Sequence, residues 1–313
     1  MTSLKMYEID VSVVIPAYRA VDFINRAIES ALAQSGVQLE IIVVDDACPM
    51  GTGDAVRRHY HDNPSVQVAV LSENGGPSAA RNVGFSLAKG EWIAILDADD
   101  AFDAGRLKRL VDAGRLHKAD VIADNVRLYD AIRHSLSEPK VKSIETPTSI
   151  DIHRLVAGSR PETGDLDFGL LKPAFRRSFI ETAEIKYPLD IRHGEDFHLY
   201  FDIIMAGGAF IVIPEAGYHW TLRNSGNSQT NIDYIQQVKD TRSLKTLERV
   251  AGDERLTDLL EQRCAALIRL HERRGYISAL KNRNYMSVAI QILRRPHLAR
   301  DLAYSIRRRL GVA

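Results

Sequence analysis

The sequence predicts an α/β protein with a doubly wound, mostly parallel sheet that has helices on both faces. Two observations predict this fold. In the first 130 residues, short β-branched runs alternate with segments of helical spacing, as parallel strands joined by crossover helices do. The runs are also almost continuously apolar, as strands buried on both faces require. Beyond residue 233 the sequence is polar with helical spacing, so a helical region is expected to follow.

The elements can be placed in order along the chain. Strands are expected at Val11–Pro16, Leu39–Val44, Val66–Leu71, Trp92–Leu96, Asp120–Ala123 and, later, Phe210–Ile213. Helices are expected at Phe23–Ala33, Asp54–His61, Ser78–Ala88, Ala104–His117 and, later, Glu195–Ala206. Residues 143–167 are rich in Pro, Thr, Ser and Gly and indicate a mobile connection. We divide the chain into an α/β domain, residues 1–230, and a helical basic extension, residues 231–313.

Composition limits the class of protein. The chain has 313 residues, of which 45% are apolar and 26% charged, as in soluble globular proteins. Its 41 Lys and Arg balance 41 Asp and Glu, so no nucleic-acid partner is expected. Two cysteines without metal-binding spacing favour a reducing compartment. No apolar run is long enough for a signal peptide or a membrane span, so we expect a cytoplasmic protein.

The balanced charge hides a basic C-terminal segment. From Arg263 onward there are 12 Lys and Arg but only 2 acidic residues. At helical spacing, Leu298, Leu302, Ile306 and Leu310 form an apolar stripe flanked by arginines. Such a helix either lies on the surface of an anionic membrane, here the cytoplasmic face of the inner membrane, or packs against the rest of the protein.

A cluster of carboxylates ends one predicted strand. In WIAILDADDAF, residues 92–102, an apolar run stops at Asp97, Asp99 and Asp100. The two-residue period of a strand puts Asp97 and Asp99 on one side, where they repel unless Mg²⁺ or Mn²⁺ binds both. Because Mg²⁺ is usually held by carboxylates together with substrate phosphates, the motif indicates a metal–diphosphate site. The alternative is a cluster that caps the next helix.

The segment NGGPSAARNVG, residues 74–84, indicates an anion site. Gly75 and Gly76 permit close backbone approach, and a helix starting near Pro77 would point its amides at an anion. Arg81, one turn into that helix, would reach a phosphate or a base. The alternative is an ordinary turn followed by a surface arginine.

Two further segments contain candidate catalytic and binding residues. In RHGEDFHLYF, Glu195 and Asp196 begin an amphipathic helix, and a carboxylate there is suited to act as a general base. The alternative is a pair of acids that caps the helix. In YHWTLRNSGNSQT, residues 218–230, His219 or Arg223 would face a diphosphate as the loop closes. The alternative there is a plain edge strand followed by a loop.

Taken together, these segments resemble the family 2 glycosyltransferases of the GT-A fold. The similarity extends from about Val11 to Thr230 and comprises VSVVIPAY, IIVVDDA, NGGPSAARNVG, DADD, GED and the aromatic–Arg–Ser tail, in this order. The phrases GLLKPAFRRSF, IRHGEDFHLYF and AGYHWTLRNSGNSQT look most like bacterial exopolysaccharide glycosyltransferases of the succinoglycan type. The resemblance implies an inverting, Mg²⁺- or Mn²⁺-dependent enzyme. It would transfer a hexose, with glucose the first candidate, from a UDP-sugar to a saccharide or lipid-linked oligosaccharide.

The resemblance implies roles on the donor side of the site. Pro16, Ala17 and Tyr18 would border the base and ribose. Asp46 would accept a hydrogen bond from the base, normally uracil, with Arg81 assisting there.

It also implies roles around the reacting groups. Asp97 would lie against the ribose and the metal, and Asp99 would ligate the metal. Asp196 would be the base, and Glu195 would orient the acceptor. The tail of the family often has two arginines one residue apart, but Thr221 stands at the first position here.

Other functions remain open from the sequence. A sugar-phosphate nucleotidyltransferase would need a Gly-rich, basic loop after the first strand, which VSVVIPAYRAVDF does not supply. A non-catalytic nucleotide-sugar-binding scaffold subunit would be free to lose DADD or the Glu-Asp pair, yet both are present. A Rossmann dehydrogenase is disfavoured because no GxGxxG follows the first strand.

Overall fold

The structure is a computed structural model in which residues 7–161, 164–222 and 232–295 are described. The chain divides into two compact units, Met1–Asn231 and Ile232–Ala313. This division lies one residue from the boundary expected from the sequence.

The first unit is built on one mixed sheet. Its strands, in the described residues, are β1 (Val11–Ala17), β2 (Leu39–Asp45), β3 (Val66–Val70), β4 (Trp92–Ile95), β5 (Ala101–Phe102), β6 (Val121–Asp130), β7 (Ser135–Leu136), β8 (Thr148–Ser149), β9 (Ala174–Arg176) and β10 (Phe210–Leu222). The strand order is β3-β2-β1-β4-β9-β6-β10-β5, with β7 on β6 and β8 on β10. The pairs from β3 through β4 and the β6–β10 pair are parallel, whereas β9 runs antiparallel to both its neighbours.

Helices of this unit cover the sheet. They are α1 (Ile24–Leu32), α2 (Thr52–His59), α3 (Gly76–Leu87), α4 (Arg106–Leu116), α5 (Ile152–Gly158), α6 (Arg177–Thr182) and α7 (Glu195–Met205). In α1 the buried residues Ile24, Ala27, Ile28 and Ala31 recur at helical spacing. This apolar face packs inward because burying it removes apolar surface from water.

The predicted fold class is confirmed, with local differences in several elements. Strand β10 extends to Leu222, well beyond the predicted Phe210–Ile213, because its partner β6 continues to Asp130. Strand β4 ends at Ile95, so the acidic residues that follow lie in a turn. The connection at residues 143–167 contains β8 and α5 and is more regular than its composition indicated.

Close packing between α3 and β1 fixes the helix that carries Arg81. Gly84 of α3 faces the buried side chain of Val14, and a Cβ at Gly84 would lie 2.2 Å from Val14 Cγ1. Only a glycine allows this approach without a shift of the strand or the helix.

The second unit is helical, as expected. Its described helices are α8 (Tyr234–Ser243), α9 (Glu248–Ala251), α10 (Glu254–Lys281) and α11 (Tyr285–Arg294). One apolar cluster is formed by Val238, Cys264 and Leu267, and another by Tyr276 and Val288. Asp253 caps the long α10, because its Oδ1 accepts a hydrogen bond of 2.9 Å from the Leu256 amide.

Among the described residues, no helix is long and apolar enough to cross a bilayer. The stripe proposed to contact a membrane, Leu298 to Leu310, lies outside the described residues.

Candidate active site

The acidic stretch after β4 forms a tight turn at the sheet edge. The Asp100 amide donates a hydrogen bond of 3.0 Å to the Asp97 carbonyl. Strand β4 ends at Ile95, and a turn lacks the two-residue alternation of a strand. The prediction that strand period places Asp97 and Asp99 on one side was therefore wrong. The acids are nevertheless close enough for their charges to act on one another.

Residues from α1 and β10 hold this turn in place. The Tyr218 hydroxyl donates to Asp100 Oδ2 at 2.7 Å and accepts from the Asp97 amide at 3.1 Å. The Thr221 amide donates to Asp100 Oδ1 at 2.8 Å. Arg26 of α1 donates to the Asp99 carbonyl at 2.8 Å and to the Thr221 hydroxyl. The length of β10, which the sequence did not predict, therefore positions the turn.

Asp100 is the fully buried acid of the turn. Burial, with the charges of Asp99 and Asp97 beside it, raises the pKa of Asp100 well above its ordinary value. Burial is the larger cause of this shift, and the two neighbouring carboxylates add to it.

Arg81 lies at the centre of a buried ionic cluster. Its Nη2 is 3.0 Å from Asp97 Oδ1, its Nη1 is 2.9 Å from Glu195 Oε1, and its guanidinium lies over the Tyr187 ring. Burial opposes the charged guanidinium, but Asp196 and Asp97 raise the pKa of Arg81 above its ordinary value. The structure therefore places Arg81 between carboxylates of the turn and of α7. No described hydrogen bond joins it to Asp46.

Lys172 completes the cluster opposite Arg81. Its Nζ is 2.7 Å from Asp196 Oδ2 and 3.1 Å from Asp97 Oδ2. Although burial disfavours the charged form, Asp196 and Asp97 raise the pKa of Lys172 above its ordinary value. Conversely, Lys172 and Arg81 outweigh burial and hold the pKa of Asp97 well below its ordinary value.

The strand register explains how distant residues meet here. In the β4–β9 pair, Ala94 lies opposite Ala174 and the strands are antiparallel. Continuing that register places Lys172, just before β9, beside the residues that follow β4. Asp196 lies in the first turn of α7. Gly194, which precedes this helix, has left-handed backbone geometry with φ 86°.

The two oxygens of Asp196 have different partners. Its side chain is 7% exposed, and Oδ2 accepts the Lys172 hydrogen bond. The other oxygen, Oδ1, is buried and is 3.8 Å from Arg81 Nη1, too far for a hydrogen bond. Burial, and then the charge of Asp196 and a hydrogen bond to it, raise the pKa of the Tyr187 hydroxyl well above its ordinary value. Oδ1 is therefore the Asp196 oxygen that no cation holds at hydrogen-bonding distance.

The amides at the start of α3 bind a carboxylate of the protein itself. Asp46 Oδ1 accepts from the Gly75 amide at 2.7 Å, and Oδ2 accepts from the Gly76 amide at 2.9 Å and from Asn74 Nδ2 at 2.9 Å. The sequence analysis predicted that these amides bind an anionic ligand. In the structure they donate to the Asp46 carboxylate instead, because a negative charge is stabilised at a helix N-terminus. Burial nevertheless raises the pKa of Asp46.

The predicted nucleotide-bordering residues lie next to Asp46. Pro16 and Ala17 end β1, Tyr18 follows and is exposed, and the Asp46 amide donates to the Ala17 carbonyl at 2.9 Å. These side chains form one edge of the sheet, where ligands of α/β proteins bind.

The predicted tail residues are placed differently. Strand alternation directs His219 to the face of β10 opposite Tyr218, and burial lowers the pKa of His219. Among the described residues, no hydrogen bond joins it to the acidic turn. Arg223 lies outside the described residues.

Asp97 and Asp99 are the expected cation ligands. Both oxygens of Asp97 are paired with cationic side chains, Arg81 and Lys172. Asp99 is half-buried on the same turn, and a cation held by that one carboxylate would take its remaining ligands from substrate phosphates, as Mg²⁺ usually does. The described residues contain no group of three or more His, Cys, Asp or Glu arranged to hold a metal without such a substrate.

The sequence did not single out Lys172 and Arg26, and it gave Tyr218 and Asp100 no individual role. Lys172 stands before a proline in GLLKPAF, but nothing in that local pattern relates it to residues 97 or 196. Only the pairing of β9 with β4 does so.

Comparisons with known proteins identify the family of this chain. The profile of the family described as Glycosyl transferase family 2 matches residues 12–158. The succinoglycan biosynthesis protein ExoU of Rhizobium meliloti is 30% identical over 269 residues, which cover 84% of this chain and 75% of ExoU. The chain belongs to glycosyl transferase family 2. A second relative, the succinoglycan biosynthesis protein ExoO of the same organism, is 34% identical over 230 residues, which cover 73% of this chain and 66% of ExoO.

The fold of this family 2 glycosyltransferase also matches a solved structure. The crystal structure of S. aureus TarS 1-349 in complex with UDP-GlcNAc superimposes with a TM-score of 0.65. The match covers 82% of this chain and 73% of that one, at 20% identity. This likeness supports the GT-A type of fold.

Proposed function

We propose that this glycosyltransferase is an inverting, divalent-cation-dependent hexosyltransferase. It transfers a hexose, with glucose the first candidate, from a UDP-sugar to a saccharide acceptor. The acceptor is a lipid-linked oligosaccharide in exopolysaccharide biosynthesis. The names of ExoO and ExoU support the pathway, and the UDP-GlcNAc complex of TarS supports a nucleotide-sugar donor.

The observation that carries the proposal is Asp196 Oδ1, which no cation holds at hydrogen-bonding distance although Lys172 joins Asp196 to the acidic turn. A general base needs an accessible carboxylate oxygen within hydrogen-bonding distance of the acceptor hydroxyl. The cationic partners of Asp196 and Asp97 join this base to the turn, so the donor and acceptor groups would meet at one cluster.

In the proposed reaction, the acceptor hydroxyl gives its proton to Asp196 Oδ1. Its oxygen forms a bond to the anomeric carbon of the sugar from the face opposite the diphosphate. The bond from that carbon to the diphosphate oxygen breaks, and UDP leaves with the electron pair. A cation on Asp99, when bound, supplies positive charge to the leaving diphosphate.

The remaining residues would bind the two substrates. Pro16, Ala17 and Tyr18 border the base and ribose, and Asp46 accepts from the base through a lone pair that the α3 amides leave unused. Glu195 orients the acceptor.

The first test is a donor screen. UDP-glucose, UDP-galactose, UDP-GlcNAc and GDP-mannose are each supplied with Mn²⁺ and a saccharide acceptor, and nucleotide release is measured. One UDP-sugar should stand out. Donor binding without nucleotide release would instead indicate a scaffold subunit. In a separate reaction with a nucleoside triphosphate and a sugar phosphate, release of pyrophosphate would indicate a nucleotidyltransferase.

The base is tested by Asp196→Asn. We expect turnover to fall by up to about 10⁴-fold, the upper end for loss of a general base, while donor affinity is retained. Asp202→Asn, on the exposed side of the same helix, is the matched control and should leave turnover unchanged. An equal loss of donor affinity and turnover in Asp196→Asn would indicate a structural cap.

The cation is tested by Asp99→Asn and by EDTA. Both should abolish transfer. Asp112→Asn, a surface acid on α4, is the control. Full activity in EDTA would contradict the metal assignment.

A further inference from the structure

Lys172 is the residue that joins the two halves of the candidate site. Its single ammonium lies within 3.1 Å of a carboxylate of the acidic turn, Asp97, and of a carboxylate of α7, Asp196. The side chain is 11% exposed, so these contacts are largely shielded from water. Shielded ion pairs are stronger and more sharply oriented than surface pairs.

The backbone at this position is fixed on both sides. The Tyr200 hydroxyl donates to the Leu171 carbonyl at 2.6 Å, and Arg106 donates to the Lys172 carbonyl. Arg106 is itself fully buried and paired with Asp124. Pro173 further restricts the backbone of Lys172 to extended conformations. The ammonium is therefore held in place before any substrate binds.

Lys172 also makes the two oxygens of Asp196 unequal. Its ammonium donates to Oδ2 at 2.7 Å. Arg81, the other cation, is 3.8 Å from the buried Oδ1, too far for a hydrogen bond. Lys172 therefore occupies one oxygen of Asp196 and leaves the other without a cationic partner at hydrogen-bonding distance.

We propose that Lys172 is a positioning residue for transfer, which holds Asp196 by Oδ2 so that Oδ1 receives the proton of the acceptor hydroxyl. This inference rests on the proposed function. Lys172 touches neither reacting atom and acts through Asp196, while its contact with Asp97 fixes the distance between the base and the donor side of the site.

The experiment compares Lys172→Met and Lys172→Arg with the wild type. For Lys172→Met, kcat should fall by about 10- to 100-fold, the loss typical when a hydrogen-bonded partner of a functional group is removed, with donor KM changed less than about threefold. Lys172→Arg should recover part of the loss, because a guanidinium keeps the charge and the hydrogen bonds. Lys108→Met, which removes a surface ion pair with Asp112, is the control and should match the wild type.

A double-mutant cycle separates this role from others. In the Asp196→Asn background, Lys172→Met should cost no further turnover, since the lysine acts through the carboxylate already lost. Additive losses would overturn the proposal. So would a large rise in donor KM at unchanged kcat, which would make Lys172 a phosphate ligand.

Folding and function are checked separately. Circular dichroism identifies the variants that fold. If Lys172→Met does not fold by itself, turnover is compared between the wild type, Lys172→Arg, and the double variant Asp196→Asn with Lys172→Met, in which the buried pair of charges is absent. A wild-type enzyme that transfers from no donor would refute the proposed function and this inference together, whereas an active wild type with an unaffected Lys172→Met refutes the inference alone.

Discussion

The hydrogen-bond partners and the pKa of each carboxylate in this protein depend on the groups around it. Asp45 and Asp46 are adjacent in sequence and both cap helices: Asp45 accepts from the Gly53 amide of α2, and Asp46 from the amides at the start of α3. Asp97 is neutralised by two cations, whereas Asp100 lies among acids and polar groups. The same side chain therefore has a lowered pKa at one position and a raised pKa three residues later.

The raised pKa of Asp100 predicts a pH dependence of stability. Above the ordinary value of 3.8, the unfolded chain loses this proton while the native state keeps it. The free energy of unfolding therefore falls as pH rises, by up to about 1.4 kcal/mol per pH unit, until the native pKa is passed. Asp100→Asn removes this contribution.

Urea unfolding in EDTA, from about pH 4 to about pH 8, measures the effect. The stability of Asp100→Asn relative to the wild type should rise with pH across this range. Asp112→Asn, on the surface, serves as the control. Parallel stability curves for Asp100→Asn and the wild type would contradict the raised pKa.

At the scale of elements, the candidate site depends on how two helices pack on the sheet and on where one strand is inserted in it. Helix α3 brings Arg81, α7 brings Asp196, and the antiparallel β9 is preceded by Lys172. The depth of α3 on the sheet depends on the contact of Gly84 with Val14.

Gly84→Ala is expected to destabilise the protein although alanine favours helices. The added Cβ would lie 2.2 Å from Val14 Cγ1, and overpacking of this kind costs about 1–3 kcal/mol. In a Val14→Ala background both methyls are gone and only the Cβ of residue 14, 3.2 Å away, stays close, so the same change should cost less than in the wild type. Denaturant unfolding of the four proteins measures the coupling, and equal effects in both backgrounds would rule out the contact as the cause.

At the scale of the whole molecule, a balanced total charge conceals a basic C-terminal segment. Residues 263–313 contain 12 Lys and Arg and 2 acids. The last described helix, α11, also exposes Met286, Ile290 and Leu293 on one side. Apolar side chains beside arginines are suited to the surface of an anionic membrane.

We therefore predict salt-sensitive binding to anionic liposomes that is lost on truncation before Arg294. Each arginine near the surface should contribute about 1 kcal/mol, so sedimentation with anionic vesicles should decline as salt rises. Neutral vesicles are the control. If the full-length protein ignores anionic vesicles even at low salt, the C-terminal segment is a packing element.

The sequence by itself determined the first strands of the sheet, the helices between them and the order of the motifs. Strand and helix periods are local signals, so β1 to β4 and their helices lie within a few residues of where they were expected. The acids of DADD and α7 were likewise recognised from short segments. These features need no knowledge of what lies across the fold.

Only the tertiary structure decided which charges meet. Lys172 is 75 residues from Asp97 in sequence, and Arg81 is 114 residues from Glu195, yet each pair is in contact. No local period encodes such pairs, because they arise from the antiparallel insertion of β9 and the approach of α7 to the sheet edge. The tertiary structure also decided that the amides at the start of α3 bind Asp46. A carboxylate of the folded chain binds a helix N-terminus without losing the translational entropy that a free ligand loses.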